Sequence, residues 1–98
     1  MEGSASVATD VLASYAADAA REVEGVAGLV EGRLPRQGAV RISGEGAATV
    51  ELHVELAWGA PAREVGQEVQ RRVADYLERM AGARPRAVDV VVDEIAEP

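Results

Sequence analysis

Residues 49–58, TVELHVELAW, alternate apolar and polar side chains almost without fault. A period of two belongs to a β-strand, in which successive side chains point to opposite faces. Val50, Leu52, Val54, Leu56 and Trp58 then share one face, and Thr49, Glu51, His53 and Glu55 share the other. This segment demands a sheet with one covered face and one polar face. The rest of the chain has to supply the cover.

The neighbouring segments fit that demand. AVRIS, residues 39–43, reads as a short strand with Val40 and Ile42 inward, and GEGA at 44–47 reads as the turn of a β-hairpin. Upstream, Leu12, Tyr15, Ala16, Ala19 and Val23 recur at helical spacing. Thr9 is placed to cap that helix, Asp10 suits its first turn, and Gly25 and Gly28 stop it. Residues 1–8 read as a loose arm, and EGRLPRQG at 31–38 reads as a loop. Downstream, Pro61 opens a second helix with Val65, Val69, Val73, Leu77 and Met80 on one stripe, and Gly82 ends it. Glu68–Arg72 and Asp75–Arg79 form i,i+4 pairs along it. RAVDVVVDEI, residues 86–95, is a last strand with Val88, Val90 and Val92 inward. Strand, helix, strand predicts a right-handed parallel crossover between 49–58 and 86–95. The expected fold is a single α+β domain over residues 1–98. It is a two-layer sandwich in which two helices cover one face of a small mixed sheet, in the order helix-strand-strand-helix-strand.

Composition narrows the function. A chain of 98 residues holds one modest core. Aromatics are 3% and Phe is absent, so little remains to line a deep pocket. The net charge of −7 disfavours phosphate backbones and anionic lipid surfaces. There is no cysteine, which removes disulfides, thiolate nucleophiles and CxxC metal sites. No apolar run approaches the roughly 20 residues of a membrane span, and MEGSASVATD has no apolar signal core. Composition allows a cytoplasmic location, and any membrane association would be made through a partner protein.

His53, the one histidine, stands between Glu51 and Glu55 on the polar face. If the last strand is its neighbour, Asp89, Val91 and Asp93 share that face. Residues i and i+2 of a strand lie about 6.5–7 Å apart, close enough for side chains to converge on an ion. Zinc sites generally need three or more placed N or S ligands, and one imidazole is short of that. Acid/base catalysis needs perturbed carboxylates in a cleft, and a flat face offers none. Ser4, Ser6, Ser14 and Ser43 lack a nucleophile-elbow context. Two readings are left besides metal binding: a plain solvated face, or an acidic docking face of Glu51, His53, Glu55, Asp89, Val91 and Asp93. Arg41 on the neighbouring strand would partly neutralise it. GEG at 44–46 lacks the context of a dinucleotide site. Gly25-Val26-Ala27-Gly28 has the GxxG form but acidic flanks, and Arg33 and Arg36 are the best local basic spot. No catalytic, cofactor, metal or nucleic-acid site is assigned.

Four segments, AAREVEGVAGL (19–29), VELHVELAWGAP (50–61), EVGQEVQRRVADYLERMAG (64–82) and VDVVVDEI (88–95), resemble the alkaline shock protein family, the Gls-type envelope stress response proteins of Gram-positive bacteria. The resemblance implies a small, non-enzymatic cytoplasmic protein linked to envelope stress. It further implies a homo-oligomer held at the cytoplasmic side of the membrane by an integral membrane partner. Fatty-acid metabolism or its regulation is the other role it implies. The residues alone leave open a soluble regulator that senses a ligand or metal through the face around His53.

Overall fold

The computed structural model describes residues 2–31, 38–44, 47–82 and 84–98, with side chains from residue 9 onward. Six elements follow in order: α1 (Glu2–Arg21), β1 (Val26–Leu29), β2 (Val40–Ser43), β3 (Thr49–Leu56), α2 (Ala62–Ala81) and β4 (Ala87–Ile95). The α+β class, the mixed sheet and the two covering helices are those expected. One strand, β1, is additional.

The sheet is built around β3. β4 lies parallel along the whole of β3, from Thr49↔Ala87 to Leu56↔Ile95. β1 and β2 both run antiparallel to β3, and with β4 on one edge they divide the other between them. β2 pairs with the first half of β3 and β1 with the second. The division falls at His53. Its N–H donates to the Ala39 carbonyl at 2.9 Å, and its carbonyl accepts from the Val30 N–H at 2.8 Å. Val30, after β1, and Ala39, before β2, thus both bond the backbone of the same residue of β3.

Val50, Leu52, Val54 and Leu56 of β3 are buried beneath the helices with Val65, Val69, Val73, Ala74 and Leu77 of α2. Each such Val or Leu contributes about 1.5–3 kcal/mol by leaving water. α1 contributes Ala16, Ala19 and Ala20, whose small side chains let the helix lie close to its neighbours, and Val23 joins them from the turn after it. The helices meet through Tyr15 and Tyr76, edge to face at 5.7 Å.

Several expectations are corrected. α1 starts at Glu2, so residues 2–8 are helical and Thr9 is inside the helix rather than capping it. After Gly3 that stretch has no glycine or proline to stop propagation, which adds a hydrogen bond per residue. Gly25 sits in a turn and Gly28 is in β1, so the GxxG pattern is not a phosphate-gripping loop. Trp58 is 65% exposed because β3 ends at Leu56, before the alternation reaches it. Met80 is exposed past the last buried turn of α2. Glu68 and Arg72 pair at 2.8 Å as expected. Asp75 instead bonds Arg71 and Arg84, and Arg79 lies over the Tyr76 ring at 5.3 Å. Arg33, Arg36 and the Glu45-Gly46 turn lie outside the described residues.

Candidate functional site around His53

The alternation of β3 sends Glu51, His53 and Glu55 to the face away from the helices, and β4 adds Asp89 and Val91 in register with Glu51 and His53. Asp93, two residues beyond Val91, lies on this face at a bulge. Val54 pairs with Val92 and Glu55 with Glu94, which leaves Asp93 as the extra residue on β4.

Of the six expected residues, three are bonded together. The His53 ring lies between two carboxylates, with Nδ1 2.5 Å from Asp93 Oδ2 and Nε2 2.7 Å from Glu51 Oε2. Arg41, paired with Glu51 across the β2–β3 ladder, donates to Glu51 Oε1 at 2.9 Å. The result is a chain, Asp93–His53–Glu51–Arg41, that crosses three strands. Glu55 lies apart, 3.8 Å from where a Cβ on Gly28 would stand. Asp89 is exposed, and Val91 is half-buried in register with His53.

His53 is 8% exposed, which corrects the picture of a simply solvated face. Val30, hydrogen-bonded to its backbone, is also buried yet lies outside the helix-side core. Val30, just past the end of β1, and Val91 of β4 therefore neighbour His53 on its two sides. The sequence hides this, because Val30 looks like the end of a loop.

Burial pushes the His53 imidazole down, but its hydrogen bonds to Glu51 and Asp93, with their charges, outweigh it and hold the pKa above the ordinary 6.5. The same bond to His53 holds Glu51 below the ordinary 4.5, against its own desolvation and with help from Arg41. Carboxylates accept and do not donate, so a ring bonded to one on each nitrogen is favoured in the doubly protonated, imidazolium form.

The donor chemistry, one imidazole and two carboxylates, suits a divalent transition-metal ion. The placement does not yet suit one. Glu51 and Asp93 sit on opposite sides of the ring, and no three His, Asp or Glu among the described residues are gathered to hold an ion. The i and i+2 side chains Glu51 and His53 do meet, at 2.7 Å, but as a hydrogen-bonded pair. The ring fills the space between the carboxylates.

No protein-family model and no curated protein matches the chain. Solved structures do. A variant of the MamM C-terminal domain superposes with a TM-score of 0.65 over 90% of this chain and 95% of that one, at 16% identity. The chain shares the fold of the MamM C-terminal domain. A nickel form of a second variant gives 0.65 over 90% and 99%, at 16% identity. A cadmium form of a third gives 0.64 over 88% and 96%, at 17% identity. These findings correct the resemblance to the alkaline shock proteins, and the envelope-stress role falls with it. An alternating strand and glycine-stopped helices are features that many α+β folds share, so they point to a fold class rather than to a family. Among the described residues no helix is long and apolar enough to cross a membrane.

Proposed function

We propose that this chain is a non-enzymatic regulatory module that senses a divalent transition-metal ion through the sheet face around His53. The observation that carries the reading is the single buried histidine, bonded on both nitrogens to carboxylates from two strands. The fold, shared with a domain solved in nickel and cadmium forms, supports it. One nitrogen of His53 and the carboxylate facing it, Asp93 at Nδ1 or Glu51 at Nε2, would hold the ion, which supplies positive charge in place of that nitrogen's proton. Its competitor is that proton. Any change at His53 bears directly on both halves of the edge strand through the Ala39 and Val30 hydrogen bonds, and on β4 through Asp93.

The module works on other proteins rather than on a substrate. Self-association is supported by the outer edge of β4, which has no strand partner among the described residues, and by exposed Val92 and Ile95 on it. A membrane-anchored partner on the cytoplasmic side is the further expectation, since a net charge of −7 does not favour anionic lipid directly.

Zinc titration by calorimetry in two buffers of different ionisation heat tests the metal reading. The wild type is expected to bind saturably and release a proton. His53→Gln abolishes this, and Asp93→Asn weakens it by about 10–100-fold. Equal binding by wild type and His53→Gln would overturn the reading.

A further inference from the structure

We infer that a groove at the junction of β3 and α2, remote in kind from the His53 chain, is a docking site for a basic peptide segment of a partner protein. The groove has a volume of about 580 Å³, and its walls include Glu24, Gly25, Trp58, Pro61, Glu64 and Val65. Three observations converge on it.

The first is Trp58. It is the only tryptophan in the chain and it stands 65% exposed on the wall of the groove. It occupies the tight turn 57–60, closed by the Ala60 N–H donating to the Ala57 carbonyl at 3.1 Å. Gly59 supplies the positive φ of 79° that the third residue of a type II turn adopts. The turn therefore holds the indole outward. Large exposed aromatics of this kind dominate binding energy at protein interfaces.

The second is rigidity. Gly25 has a φ of 99°, and a Cβ there would stand 2.6 Å from Val65 Cγ2. Its carbonyl accepts from the Ala57 N–H at 2.8 Å. The α1–β1 turn, the β3–α2 turn and the start of α2 are thus locked together, and the groove is formed before any partner arrives.

The third is charge. Glu24 and Glu64 are exposed and have no hydrogen-bond or ion-pair partner among the described residues. Glu68 bonds Arg71 and Arg72, so the one cation on the wall, Arg72, is already neutralised. Glu64 gains something from the first turn of α2, where the helix dipole favours a carboxylate. Glu24 has no such role. An indole face between two unpaired carboxylates is complementary to an arginine or lysine side chain. The cation stacks on the ring and its N–H groups reach the carboxylates. A guanidinium fits both demands better than an ammonium does.

Fluorescence reads the site directly, since Trp58 is the only indole. The probe is an acetylated, amidated peptide of alternating arginine and glycine, with glutamate–glycine and leucine–glycine peptides as controls. The arginine peptide is expected to shift or quench the emission saturably below about 1 mM, with weaker binding at higher salt. A Glu24→Gln, Glu64→Gln double variant, both positions exposed, is expected to keep the wild-type circular dichroism and bind roughly tenfold more weakly. Trp58→Leu, followed by the Gly59 and Ala60 amide resonances, is expected to bind still more weakly. An equal response to the leucine peptide or to phosphatidylcholine vesicles would make the groove a generic apolar patch and overturn the proposal. Unchanged affinity in the double variant, or no saturable response, would overturn it too. None of these outcomes depends on the behaviour of His53.

Discussion

On the helix side of β3, Val50, Leu52 and Val54 are fully buried against side chains that ask only for shape and contact. On the other side His53 is buried almost as deeply, at 8% exposed, and is held by hydrogen bonds to Asp93 and Glu51. The first kind of burial is non-directional and indifferent to pH. The second is directional, charged and reversible by one proton. One strand therefore carries a fixed face and an adjustable one. That contrast is why the outer face, and not the core, is read as the sensing element.

The contrast is sharpened first by its strongest case. Leu52→Ala is expected to cost about 2–5 kcal/mol, because it leaves a cavity in a core that has few large side chains to collapse into it. Urea denaturation checks this, and the cost should be the same at pH 6 and pH 8. On the other face, His53→Ala is expected to cost about 1–3 kcal/mol by leaving Asp93 and Glu51 facing each other without a donor between them. Here the cost should be larger at pH 6 than at pH 8. A pH-independent cost would break the comparison.

The pH dependence of the wild type follows from the same geometry. The folded pKa of His53 lies above its ordinary 6.5, so its stabilisation is complete below about 6.5 and is lost as pH rises through the folded value. The folded pKa of Glu51 lies below its ordinary 4.5, so its contribution is present above about 4.5 and is lost as pH falls through the folded value. Stability from this chain of groups is expected to be greatest between those limits. Thermal melts of wild type and His53→Ala from pH 5 to pH 9 should converge as pH rises. The smallest effect is expected from Arg41→Ala. Arg41 is half-exposed, and its bond to Glu51 contributes about 0–1 kcal/mol. A loss comparable to that of His53→Ala would show that the charge chain, and not the ring alone, holds the face.

Much of this was legible in the sequence. The alternation of 49–56 set the central strand and both its faces, and the valine stripe with Pro61 and Gly82 set α2. Glu51, His53 and Asp93 were placed on one face by alternation alone. What alternation could not show was the bulge at Asp93, which depends on the register between two strands 40 residues apart in sequence. Nor could it show β1, four residues whose Gly28 reads as a helix stop, or Val30 as a neighbour of His53. Trp58 was misplaced for a local reason. The pattern continues for two residues past the last strand residue, and the Trp-Gly turn then takes the indole out of the sheet. The family resemblance failed because it rested largely on strand alternation, helix periodicity and glycine stops, which different families with α+β folds share.

The most direct test of the central claim is nitrogen-15 NMR of the His53 ring, which needs no assignment because the chain has one histidine. Both ring nitrogens are expected to be protonated at pH 7, with a titration midpoint above 6.5. On addition of zinc, one nitrogen should lose its proton and shift as a metal ligand. A midpoint at or below 6.5, with ring resonances unmoved by zinc, would contradict both the clamped imidazolium and the sensing role built on it.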